Sequence, residues 1–134
     1  MIERLLDTDT CIHVLRRRSG PVVDRLTTHA ADSIGISSIT LAELQYGVAK
    51  SGTPAANRIH LAEFLTPFGL VPFGGSAAAA YGRLRAELES AGTPVGPLDM
   101  LIAAHALALG VILVTNNVRE FGRVRGLSVE SWLR

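Results

Sequence analysis

Gly96-Pro97-Leu98-Asp99-Met100-Leu101-Ile102-Ala103-Ala104-His105-Ala106-Leu107-Ala108-Leu109-Gly110 is the stretch on which the reading of this chain turns. Pro97 suits the first helical position, where a missing N–H costs nothing. Gly110 suits the left-handed residue just past a helix end. Between them nearly every side chain is apolar, so the stretch predicts a helix buried almost all round. Asp99 is the exception. An ionised carboxylate taken from water without a partner costs several kcal/mol or more. The residues three and four ahead are Ile102 and Ala103, so its own helix offers no cation. The helix dipole returns only about 0.3–1 kcal/mol in the first turn. Asp99 is therefore either a helix cap or a carboxylate kept for a metal or a proton.

Outward from this helix, strands and helices alternate. Val111-Ile112-Leu113-Val114 follows as a continuous branched strand, and Thr115-Asn116-Asn117 leaves it. A short helical turn then reaches Phe121, and Leu127-Ser128-Val129 reads as a last strand. Toward the N-terminus, Gly74-Gly75-Ser76 opens a helix over residues 77–90 that Gly92 closes. Leu70 to Phe73 is a strand cut short by Pro72, which lacks a donor. Residues 56–65 are helical, and Ser37-Ser38 offers a cap for a helix over residues 39–50. Residues 2–6 and Ile34-Gly35-Ile36 are short strands, with helices over residues 11–17 and 21–30 between them. Apolar strands separated by helices argue a parallel sheet covered on both faces. In such sheets the ligand site lies beyond the strand C-termini, where Asp7, Asp9 and Thr115 to Asn117 fall.

With 134 residues, 48% apolar and 19% charged, the chain is expected to form a single domain over residues 1–134 with a real core. Net charge is +1, which neither demands nor forbids a nucleic-acid partner. Twelve of the thirteen cations are arginine, a bias that a G+C-rich genome explains as well as phosphate binding does. The single cysteine, Cys11, excludes an internal disulfide and a cysteine-based zinc site, and is expected to be buried and inert. The short apolar run after Met1 predicts no secretory leader, and the most apolar window contains Asp99, His105 and Gly110, which argues against a membrane span. A reducing cytoplasm is the expected setting.

Glu43 is a third acid of interest, beside Asp7 and Asp99. Its helical neighbours Ile39, Thr40, Tyr46 and Gly47 include no cation. Three acids in apolar surroundings suggest a shared counter-ion. A hard divalent cation such as Mg²⁺ takes oxygen ligands and keeps several waters, so a few carboxylates suffice.

Four pieces together resemble one family. They are Leu5-Leu6-Asp7-Thr8; Ser37 to Leu44 with Tyr46-Gly47; Gly96 to Ala103; and Leu113 to Asn117 followed by Glu120-Phe121. In this order they resemble the PIN-domain nucleases, most closely the VapC-type toxins of bacterial toxin–antitoxin pairs. The resemblance implies a three-layer α/β/α fold around a short, mostly parallel sheet. It implies that Asp7, Glu43 and Asp99 form an acidic Mg²⁺ or Mn²⁺ site, with Thr115 and Asn117 helping to shape it. The implied activity is RNA hydrolysis by a metal-activated water. The implied partners are an RNA substrate, a second copy of the chain, and a cognate antitoxin that reaches into the active-site groove within a larger complex. Many relatives carry an acid where this chain has Asn117, and Asp9 stands where they often have Asn. Asp9 either supplies a fourth carboxylate or caps the following helix, with the cap favoured.

Two rivals remain at this point. One is a decayed PIN module that only binds RNA or antitoxin, for which Asn117 is the motive. The other is a haloacid-dehalogenase-type phosphatase built on Asp7-Thr8-Asp9, which lacks the later lysine it needs. The four histidines show no ligand spacing, and His105 is expected to be a hydrogen-bonded core residue. Arg83–Glu87 and Arg85–Glu89 are spaced as helix-surface pairs. Arg16-Arg17-Arg18 reads as a solvated helix end, and Trp132 as packing. Arg119, Arg123 and Arg125 are the cations best placed for an RNA backbone.

Overall fold

A computed structural model describes residues 1–17 and 19–133. Strands β1 (Arg4–Leu6), β2 (Ile34–Ser37), β3 (Gly69–Val71), β4 (Ile112–Val114) and β5 (Val129–Glu130) form one sheet in the order β3-β2-β1-β4-β5. Every pairing is parallel, so the expected mostly parallel sheet is parallel throughout. Successive side chains of a strand point to opposite faces. Leu5 and Leu6 are both fully buried, as are Leu113 and Val114, so both faces of the sheet are covered.

Two hydrophobic layers do the covering. On one face, α1 (Thr8–Arg16), α2 (Pro21–Thr27), α3 (Ser38–Ala49) and α4 (Pro54–Leu65) place Cys11, Val22, Leu44 and Leu61 against Leu6, Ile36 and Val114. On the other, α5 (Gly75–Ala91), α6 (Pro97–Leu109) and α7 (Val118–Phe121) place Leu84, Leu88, Ile102 and Phe121 against Leu5 and Leu113. This is the expected three-layer α/β/α arrangement. α6 begins at Pro97 and ends on Gly110 with φ of 69°, the left-handed conformation that favours glycine. Its residues 102–106 are all buried, with His105 among them.

Several boundaries differ from the sequence expectation. α1 starts at Thr8 rather than Cys11, because Asp7 caps it. β3 stops at Val71, before the donor-less Pro72, and the next free N–H, that of Phe73, donates to Ser38 Oγ at 2.9 Å. The last strand lies at Val129–Glu130, two residues later than expected. Among the described residues Arg85–Glu89 closes at 3.5 Å, while Arg83–Glu87 does not form an ion pair. Arg16 and Arg17 are exposed at the end of α1 as expected, and Arg18 lies outside the described residues.

The short edge strand β5 is secured by one carboxylate. Glu130 accepts from Trp132 Nε1 at 2.6 Å, Arg4 Nε at 3.2 Å and Arg25 Nη2 at 3.2 Å. Trp132 is fully buried and stacks on His29, with ring centroids 5.2 Å apart, so it is packing. Burial pushes the Glu130 carboxyl up, but the Trp132 N–H and the two guanidinium groups outweigh it and hold the group below its ordinary 4.5. Glu130→Ala is expected to cost about 1–3 kcal/mol, the scale for leaving buried donors unpaired. A depressed carboxylate stabilises above its unfolded pKa and loses that stability as pH falls through the folded value. The difference between wild type and variant in urea unfolding therefore persists at neutral pH and closes below about pH 4.5.

Candidate active site

β1 lies in the middle of the sheet. The chain leaves it for β2 on one side through α1 and α2, and returns to β4 on its other side through α5 and α6. That reversal opens a crevice beyond the C-terminal ends of β1 and β4. Asp7 is the first residue past β1 and is only 3% exposed. Its N–H donates to the Val114 carbonyl at 3.0 Å, which ties it to the neighbouring strand. Its carboxylate accepts the Thr10 N–H at 2.8 Å, making Asp7 the cap of α1. The expectation that Asp9 caps this helix is thereby corrected. Asp9 is already inside the first turn, and exposed. Burial pushes the Asp7 carboxyl above its ordinary value, the Thr10 and Thr115 groups facing it draw it back, and the nearby Asp9 charge raises it. Thr115, fully buried at the end of β4, accepts the Asn117 N–H at 3.0 Å.

β2 ends at Ser37, which caps α3 by accepting the Ile39 N–H at 3.1 Å. This starts α3 at the same end of the sheet and brings half-buried Glu43 to the crevice. Glu43 is not without a partner, because the Thr8 hydroxyl donates to its Oε1 at 2.6 Å. Asp99 sits in the first turn of α6, on the opposite layer. The cap of α6 is Gly96, with no side-chain bond, so the capping alternative for Asp99 falls away. Its carboxyl is pushed up from 3.8 to about 6, first by burial, then by the charges of Glu120, Asp7, Asp9 and Glu43. The charges that raise it are all acids, drawn from α1, α3, α7 and the end of β1.

Glu120 is the acid that the sequence reading passed over as a site residue. It accepts the Gly96 N–H at 2.8 Å and the Asn117 side-chain amide at 2.7 Å. A Cβ on Gly96 would lie 3.7 Å from both Asp99 Oδ2 and Glu120 Oε1, so the two carboxylates flank one glycine. Its sequence signal was the capping pattern, with Asn at the cap and Glu three residues on. Asn117 itself is exposed and engaged with Glu120.

Asp7, Asp99, Glu43 and Glu120 thus surround one crevice with oxygen donors, the donor set that a hard divalent cation takes. Among the described residues, however, no three Asp, Glu, His or Cys side chains stand close enough to hold one ion. The expected convergence within a single ion's reach is not met in this arrangement. Like charges repel, and Asp7 and Glu43 are turned to N–H and hydroxyl partners instead.

The other candidates sort as follows. His105 is 2% exposed, bonded to Ser37 Oγ at 2.8 Å, and burial holds it below its ordinary value, so it is a core histidine as expected. Cys11 is fully buried and its thiol is pushed up by burial, hence inert. Arg123 donates to the Pro94 carbonyl at 2.7 Å, and Arg125 lies with Arg83 and Glu87 over α5 and α6. All three arginines expected near RNA are exposed, and Arg119 lies on α7 next to Glu120. A groove of about 780 Å³ leads away from Thr8, Asp9 and Glu43 between α1, α3 and α4, floored by Ile12, Leu44 and Leu61.

The fold and this crevice define a parallel three-layer α/β protein with an acidic centre at its topological switch point. The chain belongs to the PIN-domain family, whose model matches residues 4–127. Within it, the chain is similar to the tRNA(fMet)-specific endonuclease VapC of Shigella flexneri, at 41% identity over 98% of this chain and 99% of that protein. It is 40% identical to ribonuclease VapC2 of Haemophilus influenzae over 99% of this chain and 100% of that one. In structure it matches the DNA-bound VapBC of Salmonella typhimurium with a TM-score of 0.94 at 40% identity, covering 98% of this chain and 99% of that one. These matches place it among the VapC ribonucleases.

Asp99 supplies a test of the electrostatics without any ligand. A carboxyl raised in the fold is penalised as pH climbs from its unfolded value to its folded one. In EDTA, Asp99→Asn is therefore expected to melt higher than wild type at pH 7.5, and the gap is expected to shrink as pH falls from 6 toward 3.8. Equal melting temperatures at both ends would show that Asp99 carries no such strain.

Proposed function

We propose that this chain is the toxin of a toxin–antitoxin pair, a divalent-metal-dependent endoribonuclease that hydrolyses RNA phosphodiester bonds. The observation that carries the metal is the gathering of Asp7, Glu43, Asp99 and Glu120 around one crevice, where burial and the neighbouring acids push the Asp99 carboxyl up. A cation is what this crevice gains most from. Asp7, Asp99 and Glu43 are the residues that would hold Mg²⁺ or Mn²⁺, with Glu120 beside them and Thr115 and Asn117 supporting. When bound, such an ion supplies Lewis acidity and a water of lowered pKa. Asp7 contributes a fixed carboxylate, held in place by the Thr10 N–H. Glu43 is oriented by the Thr8 hydroxyl, leaving its second oxygen free to bond a water. Both anchors are short, so each carboxylate enters the crevice from a defined position.

RNA is the substrate class, and initiator tRNA is the first to try, since close relatives carry that specificity in their names. The partner is a small antitoxin, supported by the solved VapBC complexes that this fold matches. The apolar groove that begins at Glu43 suits an antitoxin segment leading into the crevice. Homodimers and a larger toxin–antitoxin assembly follow the same pattern. Among the described residues no helix is long and apolar enough to cross a membrane, and the cytoplasm is the proposed site of action. Residues 1–134 are read as one PIN domain. The decayed-module alternative loses its motive, because Glu120 offers a carboxylate beside the amide that prompted it. The phosphatase alternative lacks the later lysine that its chemistry needs, and the chain belongs to the PIN-domain family instead.

Antitoxin-free protein is expected to cleave RNA with Mg²⁺ or Mn²⁺ and to stop in EDTA. Asp99→Asn is expected to lower the rate at least about a hundredfold, the scale for losing a preorganised electrostatic contributor. Metal-independent cleavage, or an unimpaired Asp99→Asn, would overturn the proposal.

A further inference from the structure

Asn117 stands where a simple count of charges would prefer an acid. The geometry shows a different use for it. Its Oδ1 faces the Glu120 N–H at 3.5 Å, capping the one-turn helix α7, and its Nδ2 reaches Glu120 Oε2 at 2.7 Å. A carboxylate only accepts hydrogen bonds, so the nitrogen must be the atom that faces it. The other Glu120 oxygen is held by the Gly96 N–H at 2.8 Å, immediately before the helix that carries Asp99. Glu120 is thus gripped at both oxygens, by the end of β4's loop and by the start of α6. The Gly96 grip draws it toward Asp99, and the Asn117 grip sets its rotation.

We infer that Asn117 is a positioning residue, whose side-chain amide fixes the Glu120 carboxylate in the acidic crevice and which is not itself a metal ligand. The inference rests on the proposed metal-dependent activity. It has a sharp consequence. Aspartate at 117 would keep the helix cap and the side-chain volume, but would set two carboxylate oxygens against each other where a 2.7 Å hydrogen bond now runs. An added acid is therefore expected to weaken the site. A view in which position 117 supplies a ligand expects the opposite.

The test is a cycle of Asn117→Asp, Glu120→Gln and the double variant, with Asn117→Ser as a neutral control that keeps a capping oxygen. Two quantities are read on antitoxin-free protein: Mn²⁺ affinity by calorimetry, and kcat and KM for RNA cleavage. Asn117→Asp is expected to weaken Mn²⁺ binding and lower kcat by about tenfold each, the scale of a lost hydrogen bond to a charged group. KM for RNA is expected to stay unchanged. In the Glu120→Gln background the same substitution is expected to add no further loss, since a residue that acts through another has nothing left to act on. Asn117→Ser is expected to show the milder form of the same pattern. Tighter Mn²⁺ binding in Asn117→Asp, or losses that multiply in the double variant, would overturn the inference. Absence of Mn²⁺ binding and cleavage in the wild type would instead overturn the function on which it rests.

Discussion

Acidic side chains gathered at one crevice are the constraint around which this molecule is arranged. Asp7, Asp99, Glu43 and Glu120 come from four separate parts of the chain, and each is drawn to the same end of the sheet. Asp7 offsets part of its burial by capping α1, and Glu120 by accepting the Gly96 N–H. Asp99 shows the cost most plainly, with a carboxyl raised to about 6 by burial and by its acidic neighbours. Groups that strain a fold in this way are kept for what they bind, and oxygen donors of this kind favour a hard divalent ion.

The rest of the structure reads as the means of tolerating that cluster. The buried α6 carries Asp99 in its first turn, where the helix dipole gives some relief. Its apolar length anchors it between the sheet and α5, which holds half-buried Asp99 at the crevice. Asp7 gains the Thr10 N–H by capping α1, Glu43 the Thr8 hydroxyl, and Glu120 the Gly96 and Asn117 donors. Among the described residues, Asp7, Glu43 and Glu120 each have a hydrogen-bond donor. These donors fix the position from which each carboxylate faces the crevice.

Much of this was legible before any coordinates. Pro97 and Gly110 bracketed α6 to the residue, because their backbone preferences are strong and local. The continuous apolar strands announced a doubly covered parallel sheet, and the acids at strand ends announced the crevice. What escaped depends on choices among neighbouring polar groups. Whether Asp7 or Asp9 caps α1 turns on which carboxylate reaches the N–H three residues on, and the strand end at Leu6 decided for Asp7. In the sequence Glu120 reads only as part of the fourth motif, because its bond to Gly96, 24 residues away, forms only through the tertiary fold. Arg123 looked free for phosphate and proved to be held by the Pro94 carbonyl, a contact across 29 residues that no local pattern foretells.

The most direct test is to locate the ion. Crystals of the antitoxin-free protein soaked in Mn²⁺, with anomalous data collected at its absorption edge, report position without reference to activity. The account predicts one peak between the carboxylates of Asp7 and Asp99, at inner-sphere distances close to the roughly 2.0–2.1 Å typical of Mg²⁺, with the side chains drawn in from their present hydrogen bonds. A crevice without manganese, beside well-ordered Asp7, Glu43, Asp99 and Glu120, would contradict it.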